Sequence, residues 1–206
     1  MPYFKKINLL FIHIPKTGGS NIENFFFCLT NESPTISHVY SNNINIRLNN
    51  HSLQHTTYQE LLDHKDFFNI DFNSQLKIIS VVRNPYERIM SDLFFYKLAD
   101  KSHTKETIEK IIKNYLNHTS HFDNHKIPQY QFLIDKNEVI PKNIVVLKNE
   151  DLNKEMKYIG YPQFEYFCKD VSQKSYMSYL TSNSISMINT YYKKDFEFFN
   201  YKMITF

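Results

Sequence analysis

The chain has 206 residues, enough to bury a core, with 42% apolar and 16% aromatic residues, which excludes a disordered polymer. Its net charge of +3 is too mild for a dedicated nucleic-acid binder, and two cysteines, Cys28 and Cys168, make neither a disulfide framework nor a metal motif. They read as free core thiols, and residues 1–206 read as a single domain with no internal repeat.

Asn8 to Ile14, "NLLFIHI", is a short apolar run of strand formers, expected to be a buried parallel strand. It runs into the following loop without a small-residue cleavage site, so it is not read as a signal peptide, and no apolar run is long enough for a membrane span. The next helix is expected over Asn21 to Leu29. Ser20 stands at its N-cap position, with Glu23 completing a capping box. Between strand and helix lies "PKTGGS". The chain has only three glycines, and two of them, Gly18 and Gly19, are adjacent here. A glycine pair in a strand-to-helix turn permits left-handed backbone and leaves N–H groups open to an anion at the positive end of the helix. Lys16 adds an ammonium. The order of lysine and glycines is not that of a Walker A loop.

Thr35 to Tyr40 reads as a second short strand, Asn42 to Asn50 as a polar loop, and Thr57 to Asp63 as a short helix. Leu76 to Val82, "LKIISVV", is the clearest strand. It is closed by Arg83 and followed by a helix with Asn84 as N-cap and Pro85 at its first position. Ser91 lies two turns into that helix. Lys105 to Leu116 reads as a helix burying Ile108, Ile111, Ile112 and Tyr115. A further helix is expected over Tyr130 to Ile134, a strand over Asn143 to Leu147, and an amphipathic helix over Ser184 to Phe199. Strands alternating with helices imply an α/β fold with a mainly parallel sheet. In such a sheet Arg83 and the Lys16 loop share the edge formed by strand carboxyl ends, where ligands bind. Two anion sites at neighbouring strand ends suit a ligand with two separated anionic groups.

These two segments carry a family resemblance. "IPKTGGSN" resembles the 5'-phosphosulfate loop of PAPS-dependent sulfotransferases, and "VVRNPYERIMSDLF" resembles their 3'-phosphate motif. The pair, in this order, is most similar to the carbohydrate O-sulfotransferase branch that includes heparan sulfate 2-O-sulfotransferase. "IPQYQFL", "NIVVLKNEDL" and "INTYYKKDFEFFNY" agree more loosely with its distal part. The resemblance implies a P-loop-NTPase-like fold, PAPS as co-substrate with PAP as product, no metal, and transfer of a sulfuryl group to an acceptor hydroxyl, foremost on a carbohydrate. Lys16 would contact the bridging oxygen. Thr17, Gly18, Gly19 and Ser20 would hold the phosphosulfate, and Arg83 and Ser91 the 3'-phosphate. Arg88 is left open between a role in the site and a surface pairing with a carboxylate.

Transfer to a sugar hydroxyl needs a proton acceptor, and histidine suits neutral pH. Among nine histidines, His55 is favoured because "HTTYQEL" resembles a segment of the family in which a histidine serves as base. His51 is the second candidate. Glu60 could orient His55 or act as base itself. His13 is read as structural or cofactor-adjacent, Glu150 as structural, and "HTSHFDNH" as a mobile acceptor-facing loop rather than a metal site. The competing functions are a nucleotide kinase-like P-loop enzyme and a non-catalytic PAP- or glycan-binding module. A start only a dozen residues before the cofactor loop, with no anchor, reads as a soluble cytoplasmic enzyme or as a domain cut from a longer protein.

Overall fold

The computed structural model describes residues 2–32, 47–48, 51–167 and 175–206. Its strands are β1 (Tyr3–Phe4), β2 (Leu9–Ile12), β3 (Arg47–Leu48), β4 (His51–Ser52), β5 (Lys77–Val82) and β6 (Ile144–Lys148). Its α-helices are α1 (Gly19–Thr30), α2 (Tyr58–Asp63), α3 (Lys65–Phe68), α4 (Pro85–Phe95), α5 (Lys105–Asn117), α6 (Leu152–Tyr158), α7 (Phe164–Phe167), α8 (Ser182–Tyr191) and α9 (Lys193–Phe198).

The main sheet has the order β1-β2-β5-β6. β2 pairs with β5 and β5 with β6 in parallel, and only β1 runs antiparallel. Side chains on a strand alternate between faces, and here both faces are covered. Leu10, Ile12, Ile78 and Val82 join the apolar cluster under α2 and α3, whereas Leu9, Phe11, Ile79 and Val81 join the one under α1 and α6. This is why β2 and the interior of β5 read as continuous apolar runs. Ser80, the one polar residue amid them, is fully buried and donates its hydroxyl to the Ile12 carbonyl at 2.8 Å. A third cluster joins α4, α5, α8 and α9.

The helix starts follow local chemistry. Asn84 accepts the Tyr86 N–H at 3.0 Å, with Pro85 in the first turn of α4. Thr57 and Glu60 form a complete capping box on α2. Thr104 caps α5, which buries Ile108, Ile112 and Tyr115 as expected and leaves Ile111 half-buried.

Five expectations need correction. α1 begins earlier than Ser20: its N-cap is Gly18 at φ +93°, without a side-chain cap, and Glu23 is committed to His13 and Gln54 rather than to a capping box. The glycine pair tightens the turn, so the helix starts inside it. The expected helix at 130–134 is a single 3-10 turn over Gln129–Phe132. The expected helix at 184–199 is two helices that break at Tyr192, whose N–H closes on Ile188. Arg47–Leu48, expected in a loop, pairs with His51–Ser52 as a short antiparallel ribbon. Cys28 is exposed on α1, not a core thiol. The expected strand at 35–40, most of the 42–50 loop and Cys168 lie outside the described residues.

Candidate active site

Parallel pairing of β2 with β5 brings the residues after Ile12 beside those after Val82. The first loop is bound from below. The Thr17 hydroxyl donates to the Ile14 carbonyl at 2.8 Å, and Asn149, just after β6, donates its amide to the Thr17 carbonyl at the same distance. Lys16 at φ +65° and Gly18 at φ +93° both adopt left-handed backbone, which is costly for lysine and free for glycine. Gly19 is required for a different reason. A Cβ there would lie 2.7 Å from Nε2 of His13, and one at Gly18 would lie 2.5 Å from Nδ2 of Asn149. The loop is therefore pressed against its floor, with Gly18, Gly19 and Ser20 on the cavity side.

Arg83 is fixed by its backbone. Gln129 accepts the Arg83 N–H at 2.9 Å and donates to its carbonyl at 2.8 Å. Its guanidinium reaches the Lys16 carbonyl at 3.4 Å and Glu87 at 3.8 Å. Lys16, Gly18, Gly19, Ser20, Arg83, Ser91 and His55 line one cavity of about 370 Å³, within the size range of small-molecule sites. Thr17 and His51 do not line it. Thr17 is fully buried. His51 is also buried, with both ring nitrogens engaged, by Glu60 at 2.9 Å and by the Ser52 carbonyl at 2.9 Å.

The residue that orients His55 is Asp123, not Glu60, whose carboxylate is spent on Thr57 and His51. Nδ1 of His55 lies 3.0 Å from Oδ2 of Asp123 and 2.9 Å from its carbonyl, so this nitrogen carries the proton and donates. Nε2 is then the basic atom of the neutral ring. Asp123 is itself held by the N–H and hydroxyl of Ser52, at 2.5 and 2.9 Å. It sits in a run of three residues with left-handed backbone, Phe122, Asp123 and Asn124. Strain of this kind collects at functional sites, and it is stabilised here by the Asn124 amide donating to the His55 carbonyl at 3.0 Å.

The electrostatics follow from burial. Burial, with His13 and His125 nearby, pulls the pKa of His55 down to about 4 despite Asp123. Burial would raise the Asp123 carboxyl, but hydrogen bonds from His55 and Ser52 outweigh it and hold Asp123 well below the usual carboxylate range. Burial opposes protonation of His51 too, yet Glu60 and the Ser52 carbonyl reverse the balance and raise its pKa. Burial lowers the pKa of Lys16, and Arg83 adds to the effect.

Arg88 and His125 were noted in the sequence without their partners, and Asp123 and Phe95 were missed. Arg88 is not a surface residue paired with a carboxylate. It is 3% exposed, and its guanidinium donates to the carbonyls of Pro15 at 3.0 Å, Ile127 at 2.9 Å and His125 at 2.7 Å. One side chain on α4 thus ties the Lys16 loop to the histidine-bearing segment. Asp123, His125 and Phe95 also line the cavity. His125 closes the "HTSHFDNH" run expected to face the acceptor, the turn-forming "DN" in it was the hint of Asp123, and nothing local marked Phe95. His55, Asp123 and His125 each bring one ligand-type atom within 4.8 Å of the others. The Asp123 oxygens accept hydrogen bonds from Ser52 and His55.

The pattern of the sulfotransferase family matches residues 3–202, almost the whole chain. The chain belongs to the sulfotransferase family. No curated protein and no solved structure matches it. As a sulfotransferase it is an enzyme that transfers a sulfuryl group, and its four-stranded, mainly parallel sheet with flanking helices is the P-loop-like fold of that family. No helix among the described residues is long and apolar enough to cross a membrane.

Proposed function

We propose that this chain is a single-domain, PAPS-dependent O-sulfotransferase of the carbohydrate branch, with His55 as general base. The supporting observation is one cavity lined by Lys16, the Gly18–Gly19–Ser20 turn, Arg83, Ser91 and His55. In this reading the N–H groups at the start of α1 and the Ser20 hydroxyl hold the 5'-phosphosulfate, and Arg83 and Ser91 hold the 3'-phosphate. Thr17 contributes through its backbone, because its hydroxyl is committed to Ile14.

Nε2 of His55 takes the proton of the acceptor hydroxyl as its oxygen attacks sulfur. A new S–O bond forms, and the bond from sulfur to the 5'-phosphate oxygen breaks in line. The bonding pair stays on that phosphate oxygen, where the Lys16 ammonium offsets the charge. His55 remains neutral through the physiological range and is therefore ready to accept the proton. His51, which is protonated more readily and paired with Glu60, serves instead to brace the turn carrying His55.

The test is a thermal shift with PAP and, in parallel, with ADP, which lacks the 3'-phosphate. A ligand that binds only the folded state raises the melting temperature by mass action. A shift with PAP and none with ADP is expected. Equal shifts would refute the Arg83–Ser91 assignment.

A further inference from the structure

His125 lines the cavity beside His55, and none of the steps above uses it. Its Nδ1 lies 2.5 Å from Oδ1 of the buried Asp92, whose other oxygen accepts the hydroxyl of Tyr115. The ring is held from three sides. It stacks on Phe95 with centroids 5.5 Å apart, meets Tyr96 edge-on at 5.1 Å, and meets His55 edge-on at 4.9 Å. The guanidinium of Arg88 fixes its carbonyl. Three histidines line the cavity, each paired with a carboxylate: His13–Glu23 lies against Gly19 behind the glycine turn, while His55–Asp123 and His125–Asp92 stand side by side, each with Nδ1 engaged and Nε2 as the remaining polar atom.

A reacting hydroxyl has one proton and needs one base. We infer that the acceptor is a vicinal diol: the reacting hydroxyl meets His55, and the hydroxyl on the adjacent carbon donates to Nε2 of His125. This inference rests on the reading of His55 as base. Ligand-type atoms of the two histidines lie within 4.8 Å of each other, a span that suits two neighbouring oxygens on a sugar ring, each at a hydrogen-bond distance of about 2.8 Å. A phenol or an isolated alcohol would satisfy His55 and make no bond to Nε2 of His125 on the cavity wall. Sites built to bond a substrate hydroxyl discriminate strongly against analogues lacking it, because their own polar group is then stranded. His125 is thereby a specificity-determining residue, positioned by Asp92.

The experiment measures kcat/KM with PAPS for a panel of methyl pyranosides, their monodeoxy analogues, cyclohexanol and 4-nitrophenol. Wild-type protein is expected to use diols, with loss of the adjacent hydroxyl lowering kcat/KM by about 10- to 100-fold. His125→Ala is expected to erase that preference while keeping the PAP thermal shift, which reports that the variant is folded. His125→Gln, whose amide oxygen can still accept a hydrogen bond, should restore part of the preference. A preference unchanged in His125→Ala overturns the inference. So does efficient sulfation of the phenol or the lone alcohol, or failure to sulfate any diol. Turnover of the phenol would leave the sulfotransferase reading intact while removing the diol, whereas absence of a PAP shift would count against the underlying cofactor site.

Discussion

The ammonium of Lys16 lies 4.0 Å from the centre of the Phe95 ring, and the same ring stacks on His125. Phe95 is the last residue of α4 and is 56% exposed, so one aromatic side chain at the cavity mouth touches both the Lys16 loop and His125. A cation–π contact at so exposed a ring contributes about 0.5–1 kcal/mol, too little to hold the lysine once a phosphate oxygen is near. Lys16→Ala is expected to lower kcat by about 100- to 1,000-fold, the range for removing one preorganised group at a developing charge. Phe95→Ala should lower it by less than about 10-fold, as the modest contact it removes implies. Steady-state assays with PAPS check both. Wild-type turnover in Lys16→Ala would remove the lysine from the reaction.

Gly19→Ala should lower the melting temperature. The added Cβ would lie 2.7 Å from the His13 ring, which Glu23 holds at 2.5 Å and which cannot easily retreat. Overpacking of this kind costs about 1–3 kcal/mol, or about 2–12 °C for a chain of this size. Gly18→Ala adds left-handed strain to a clash with Asn149 at 2.5 Å and should be at least as damaging. Thermal unfolding followed by circular dichroism is the measurement, and an unshifted Gly19→Ala would show that the turn can relax.

The pH dependence follows from His55. Its pKa of about 4 lies below the ordinary value of 6.5, so the neutral, basic ring dominates throughout the range between them. The acid limb of kcat/KM assigned to this group should therefore fall near pH 4 rather than near 6.5. For stability, the folded ring binds fewer protons than the unfolded one over that interval. The contribution of His55 is complete above the unfolded value and is lost as pH falls toward the folded one. An acid limb near the ordinary histidine value would contradict the assignment.

Asp123→Asn should reduce kcat by about 100- to 10,000-fold, the usual worth of a general base, because the ring loses the anion that orients it and supports its protonation during transfer. The PAP shift should persist. Retention of full activity would show that the Ser52 and backbone contacts suffice to hold His55.

Arg88→Lys should lower stability by about 2–4 kcal/mol, or roughly 4–16 °C. A lysine cannot present the planar fork that reaches three separate carbonyls, and at least one of them would be left buried without its donor. Unfolding at the wild-type temperature would mean that water replaces the guanidinium.

The Lys-Thr-Gly-Gly-Ser turn and the Arg-Asn-Pro helix start were legible in the chain because each is local. A glycine pair, a capping asparagine and a proline act over a few residues, and continuous apolar runs announce buried parallel strands. The same locality explains the errors. Ser20 and Glu23 have capping-box spacing, but spacing cannot reveal that His13, ten positions earlier, lies across the turn and claims the glutamate. Glu60 lies close to His55 in sequence, yet Asp123, 68 positions away, is the carboxylate that reaches it. Arg88 looks like any charge on a helix until the loops it clasps are folded around it. The sequence by itself determined the glycine-pair turn, the Arg-Asn-Pro helix start, the parallel sheet and the family. Only the tertiary structure decided which histidines face the cavity and which carboxylate holds each one. Hydrogen bonds between side chains distant in sequence exist only once the sheet has brought their loops to one edge.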